Sequence, residues 1–309
     1  MTPTSIGVLG GGPWGLALAR AASRGPSVTW LHSRRQQDAD VPGVRLTRDL
    51  AELANCRLLL VAVPSNLARS VARELGDHLD GSHIVVHGIR GLSGPELSTV
   101  SQIFREETPV RRLGALGGPV QADELAAGRP SAMVVASEFA EVIAAVCDAL
   151  QSDRLQLESS RDLRGLEWAS ALVGCLSIGI GFAQARGDVS PGLLAALISR
   201  AVDEAATIVT AAGADENTFY GLGGYGDLLA SMALTDRPEV VLGRALATGA
   251  KLEDARKQAR LRVEAIDLVP RILAFAKAHE VRRPIFDAIG AILDGSSEPS
   301  VIVRALFRG

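Results

Sequence analysis

Six residues near the start of the chain, Gly10-Gly11-Gly12-Pro13-Trp14-Gly15, constrain the fold more than any other stretch. They follow a short apolar run at 6–9 and open an apolar-periodic segment at 14–23. G-x-G-x-x-G between a strand and a helix is the fingerprint of a dinucleotide-binding turn. In this reading Gly10 permits the tight turn and Gly12 lets a pyrophosphate reach the backbone. Gly15 lets the helix pack closely on its strand. The helix starts with unpaired amides that face an anion. Pro13 fits an early helical position, where a missing N–H costs little. Gly10, Gly12, Pro13, Trp14 and Gly15 are therefore expected to bind a cofactor. The alternative is a glycine-rich turn without a ligand.

The end of the second strand, 28–32, selects between cofactors. An NAD site usually places an acid there to bond the ribose 2′-hydroxyl. This chain has His32-Ser33-Arg34-Arg35 instead. A hydroxyl and two guanidinium groups suit a 2′-phosphate. NADP(H) is expected to be preferred over NAD(H), held by Ser33, Arg34 and Arg35. Two solvated surface arginines are the alternative.

With 309 residues the chain has room for two domains. Strands are predicted at 6–9, 28–32, 57–63, 83–87, 132–136 and 155–157. Helices are predicted at 14–23, 67–79 and 139–149. Apolar strands separated by helices imply an α/β Rossmann domain with a mostly parallel, doubly wound sheet. From about Arg161 the periodicity is helical throughout. Helices are expected at 166–186, 191–212, 228–234, 239–248, 252–259, 263–279 and 284–293. Gly213, Gly249 and Gly295 fall where helix C-termini should be. The expected division is 1-158 for the dinucleotide-binding domain and 159-309 for an all-α C-terminal domain. A glycine cluster, Gly221-Leu-Gly-Gly-Tyr-Gly226, marks a tight loop or a close backbone approach within the helical half.

Composition narrows the partners. The net charge of −3 lacks the basic excess that nucleic acid or an anionic membrane calls for. Aromatics are only 4% of residues, which leaves a core of Ala, Leu, Val and Ile. The only lysines are Lys251, Lys257 and Lys277, so no ammonium from the first 250 residues can serve a site. Cys56, Cys147 and Cys175 are odd in number and far apart, and they match neither a disulfide framework nor a metal site. The N-terminus lacks the pattern of a signal peptide. The longest apolar stretch, 169–185, is short for a bilayer. A cytoplasmic protein with a small-molecule substrate is expected, with no nucleic-acid, membrane or metal partner.

Four motifs occur in order. They are Gly10-Gly-Gly-Pro-Trp-Gly15; Val61-Ala-Val-Pro64; Gly117-Gly-Pro119 with Ala126-Ala-Gly-Arg-Pro130; and Thr218-Phe-Tyr-Gly-Leu-Gly-Gly-Tyr-Gly-Asp227. As a set the chain resembles bacterial NAD(P)-dependent glycerol-3-phosphate dehydrogenase along nearly its whole length. The resemblance implies hydride transfer between nicotinamide and C2 of dihydroxyacetone phosphate or glycerol 3-phosphate. It also implies a homodimer formed through the helical domain. It adds Pro64 and Glu264 to the cofactor-binding set, with no derived role for Glu264. It places a catalytic lysine where this chain has Val173, and a second lysine where it has Arg90. It puts a phosphate-binding Arg-Asn pair at Pro238 and Glu239, and it retains Asp227 and the hydroxyl of Ser231.

Valine neither donates a proton nor stabilises an alkoxide. Three residues could replace the lysine. His87 ends a strand at the sheet edge where ligands bind, and has a suitable pKa. Its alternative is a packed or surface histidine. Tyr225 lies two residues before Asp227, and its alternative is a core aromatic with a satisfied hydroxyl. Asp227 is an acid/base candidate or merely caps the helix beginning at Leu228. Arg90, Val173, Ser231 and Arg237 are expected to line the substrate site. For Arg237 and Arg244 a solvated face is the alternative. Two functional readings follow: an NADP(H)-dependent oxidoreductase with a rebuilt pocket, or a non-catalytic NADP-binding sensor or interaction protein.

Overall fold

The computed structural model describes residues 5–34, 41–296 and 300–306. They fall into two units, 1–167 and 168–309. The sequence pattern changes near Ser159, and the units divide eight residues later, inside a helix.

In the first unit the elements alternate. They run β1 Ser5–Leu9, α1 Pro13–Ala22, β2 Val28–His32, β3 Val44–Thr47, α2 Leu50–Leu53, β4 Leu58–Val61, α3 Ala68–Gly76 and β5 Ile84–His87. Then come α4 Val100–Glu107, β6 Arg112–Gly117, α5 Ala122–Ala127, β7 Ser131–Ala136, α6 Ala140–Leu150 and β8 Leu155–Ser160. The described strands form one eight-stranded sheet in the order β3-β2-β1-β4-β5-β6-β7-β8. Pairing is parallel except between β6 and β7. The α/β class read from the sequence holds. β4 and β5 are buried at every residue, as strands covered on both faces must be. Ile6, Val8, Leu31, Leu58, Leu60 and Val86 pack with Ala17, Leu18, Val142 and Val146 into one core.

The register positions the site. Leu9 pairs with His32 and with Val61, and Val61 pairs with His87. The last residues of four neighbouring strands are thus level. The turns that follow them, at Gly10, Ser33, Ala62 and Gly88, emerge along one edge. The strand order reverses at β1 and β4, the switch point where open α/β sheets take ligands.

Several elements carry too weak a signal to be read from sequence. β3 is a half-exposed edge strand, and β6 contains an arginine and two glycines, which dilute strand character. α2, α4 and α5 are short. β8 runs on to Ser160, beyond the expected 157.

The second unit continues α7, Leu163–Gln184, and adds α8 Pro191–Ala211, α9 Glu216–Tyr220, α10 Asp227–Ala233 and α11 Pro238–Ala247. α12 Leu252–Gln258, α13 Ala265–Ala278, α14 Pro284–Asp294 and α15 Val301–Ala305 complete it. No strand occurs here among the described residues, and α9 and α15 are additions to the helices expected. Gly213, Gly249 and Gly295 adopt positive φ just after α8, α11 and α14, as read. α7 is long and apolar enough to cross a bilayer, longer than the apolar stretch in the sequence suggested. Its apolar window is wholly buried inside the protein, as in a core helix. Cys56 and Cys175 are buried thiols, whereas Cys147 is half-buried.

α7 and α11 cross at very short range. A Cβ at Gly181 would lie 2.1 Å from the Val240 carbonyl oxygen, and one at Gly243 would lie 2.0 Å from that of Ile178. Only glycine allows that approach, and it sets the first half of α11 against the C-terminal third of α7.

Candidate active site

The glycine turn has the shape its sequence implies. Gly10 sits at φ 123°, and a Cβ there would meet the Ala62 carbonyl oxygen at 2.2 Å. A Cβ at Gly15 would collide with the Gly10 carbonyl oxygen at 1.8 Å, so this glycine presses α1 onto the turn. Gly12 differs, because nothing lies within 4 Å of its would-be Cβ. That open face lies at the N-cap of α1, where no side chain caps the helix and Pro13 occupies the first turn. Uncapped amides beside open space at a helix N-terminus fit a pyrophosphate. Trp14 packs its indole on Gly88, where a Cβ would lie 2.2 Å from Nε1.

At the end of β2, His32 donates from Nε2 to the Arg48 carbonyl at 3.1 Å. Burial lowers the His32 pKa, so the ring is neutral near pH 7 and adds no charge. Ser33 is buried and its amide bonds the Thr47 carbonyl. Arg34 is exposed and ion-paired with Glu74 of α3. Arg35 lies outside the described residues. Pro64 is exposed just after β4, at the N-cap of a 3₁₀ turn, Ser65–Leu67.

His87 is a packed histidine. Its Nε2 bonds Glu167 Oε1 at 2.9 Å, and its Nδ1 accepts from the Ile89 amide at 3.3 Å. Both ring nitrogens are thus bonded within the protein, the packed setting that was the alternative to an acid/base role. Glu167 is itself buried and also accepts from the Ser101 amide at 2.8 Å and the Ser101 hydroxyl at 2.5 Å. Sequence reasoning missed Glu167, although a lone carboxylate inside an apolar helix was a usable signal. Arg90 follows in the loop after β5, half-buried.

The helical unit gathers a second cluster. Asp227 is fully buried and is the first residue of α10. A π turn, Leu222–Gly226, runs directly into that helix, and Gly226 is already helical. Asp227 therefore does not cap α10, which corrects the capping alternative. Its Oδ1 accepts from Arg237 Nη1 at 3.0 Å. The same Nη1 donates to Ser231 Oγ, and Arg237 Nε donates to Glu239 Oε2 at 3.3 Å. Arg237 is only 4% exposed, so the solvated-face alternative is wrong for it. Arg244 bonds Gln184 and the Thr235 carbonyl.

The cluster rests on α7. Ser177 Oγ lies 3.0 Å from Ser231 Oγ and donates to the Val173 carbonyl at 2.7 Å. Glu239 Oε1 would lie 3.9 Å from a Cβ on Gly174. Val173 is fully buried and presents only methyl groups. Tyr225 is 38% exposed, so the core-aromatic alternative fails for it. Glu264 stands at the N-cap of α13 without capping it by a side-chain bond.

The profile for the N-terminus of NAD-dependent glycerol-3-phosphate dehydrogenase matches residues 5–143, and that for its C-terminus matches 162–304. The chain belongs to the NAD-dependent glycerol-3-phosphate dehydrogenase family. A glycerol-3-phosphate dehydrogenase [NAD(P)+] of Rhodopseudomonas palustris is 31% identical, with 98% of this chain and 97% of the relative covered. One from Fusobacterium nucleatum is 30% identical, with 98% and 96% covered. The fold matches the crystal structure of glycerol-3-phosphate dehydrogenase from Coxiella burnetii with a TM-score of 0.89 at 23% identity, over 99% of both chains. Like its relatives, this family member is an NAD(P)-dependent oxidoreductase.

Proposed function

We propose that this family member interconverts a small ketone and its secondary alcohol, prefers NADP(H), and takes its substrate at the Asp227–Ser231–Arg237 cluster. The observation that carries the reading is the buried Arg237 guanidinium, bonded to Asp227 and Ser231 in the unit where the resemblance expects substrate. A bound nicotinamide supplies or accepts the hydride. The amides at the start of α1 and the open face of Gly12 hold the pyrophosphate. Ser33 and Arg34 favour a 2′-phosphate, because no carboxylate ends β2. Val173, in the same unit as the cluster, offers only methyl groups to a substrate. Where the resemblance expects an Arg-Asn phosphate grip, this chain has Pro238 and Glu239. Glu239 is a carboxylate that already accepts from Arg237, and it disfavours a phosphate dianion. The reading therefore keeps the alcohol–ketone chemistry and opens the choice of substrate to ketones beyond dihydroxyacetone phosphate.

A second reading, a sensor that binds NADP without turnover, draws on the complete burial of Asp227 and Ser231. NADPH oxidation with dihydroxyacetone phosphate and a panel of ketones separates the two. Turnover with a member of the panel is expected. Tight NADPH binding with no turnover on any carbonyl contradicts the enzyme reading and favours the sensor. Tighter binding of NADH than of NADPH refutes the cofactor preference.

A further inference from the structure

We propose that Arg237 holds the reacting oxygen of the substrate, donating to it through Nη2 and standing in for the ammonium that Val173 cannot supply. The inference rests on the oxidoreductase reading above and names the group that acts in it.

A guanidinium carries five N–H donors in one plane. Protein acceptors account for those on Nε and Nη1: Glu239 takes the first, while Asp227 and Ser231 share the second. Nη2 is buried and has no protein acceptor among the described residues. A buried charged donor left unmatched is expensive, by about 1–3 kcal/mol or more, so its retention calls for an explanation. Local helix preference does not provide one. Arg237 occupies the N-cap of α11, where its side chain makes no cap bond. Ser, Thr, Asp and Asn are the residues that stabilise that position, and a cation there opposes the helix dipole. Residues that break a local rule in this way are expected where function demands them.

The surroundings suit a developing alkoxide. Carboxylates on two sides, Asp227 and Glu239, hold the guanidinium plane, and Ser231 braces it. The ten-residue helix α11 points its positive end at the same place. In the reducing direction, reduced nicotinamide, when bound, would supply the hydride to the carbonyl carbon and be oxidised in doing so. The C=O π pair moves onto the oxygen, which takes its proton from water. Guanidinium keeps its own proton, so Arg237 stabilises the oxygen without acting as the acid.

The test follows NADPH oxidation by wild type, Arg237→Ala and Arg237→Lys, with and without free guanidinium ion, alongside NADPH titration. Arg237→Ala is expected to lose about a hundredfold in kcat/KM, the cost of removing one oxyanion donor. The loss should fall mainly on kcat, with NADPH affinity unchanged and free guanidinium restoring part of the rate. Wild-type kcat/KM in Arg237→Ala overturns the inference and leaves the oxidoreductase reading standing. So does a loss that neither lysine nor guanidinium relieves, because that marks a purely structural role. If Arg237→Ala does not fold, Arg237→Gln carries the test: a lower kcat at unchanged NADPH affinity, partly restored by free guanidinium, supports the inference, and an unchanged kcat overturns it. A wild type that binds NADPH but reduces no carbonyl ends the oxidoreductase reading and this inference together.

Discussion

Gly10 and Gly12 are two residues apart and stand in opposite relations to the space around them. Gly10 is fixed by backbone, with positive φ and the Ala62 carbonyl 2.2 Å from its would-be Cβ. Gly10→Ala is expected to cost at least about 2 kcal/mol of stability, measured by urea denaturation, and an unmoved midpoint would contradict this. Arg34 is expected to act on cofactor choice. Arg34→Ala should weaken NADPH binding about tenfold and leave NADH binding unchanged, which parallel titrations would show. The cofactor turn was legible because its signal is local, with spacing, strand and helix all within about 20 residues. Other groups were harder to read. His87 meets Glu167 eighty residues away in sequence, and no local pattern announces that pairing. Arg237 looked solvated because it lies in a polar loop, yet Asp227 and Ser231 draw it inside.

At the scale of elements, two contacts within the helical unit make predictions. α7 and α11 touch backbone to backbone through Gly181 and Gly243. Gly243→Ala should force them apart and cost about 1–3 kcal/mol, read from the melting temperature, and it should also disturb Arg237 at the start of α11. The second contact is electrostatic. Glu204 of α8 is buried and accepts from the amides of Ile285 and Phe286 at the start of α14. Burial pushes its carboxyl up to about 7, against the pull of those amides and helped by Asp287. Below about pH 4.5 the group is protonated in both folded and unfolded chains and imposes no penalty. Between there and about pH 7 the unfolded chain ionises first, so stability falls as pH rises, by at most about 3 kcal/mol. Glu204→Gln is expected to flatten that slope between pH 5 and 7.5. An identical slope in the variant would contradict the assignment.

At the scale of the whole molecule, the alternation of strand and helix followed by helices alone was readable from periodicity. The buried strands β4 and β5 and the long helices α7 and α8 repeat their patterns over enough residues to be unmistakable. β3 and β6 escaped because edge exposure in one, and glycine and arginine in the other, break the apolar run. The central claim remains the dinucleotide grip at the sheet's carboxyl edge. Calorimetric titration of NADPH into wild type and Gly12→Ala tests it most directly, because the open surroundings of Gly12 let a methyl group in at under about 1 kcal/mol of stability. The account predicts tight binding by wild type and at least about tenfold weaker binding by the variant, equivalent to about 1.4 kcal/mol, with the melting temperature nearly unchanged. Equal affinity in the two proteins would contradict it.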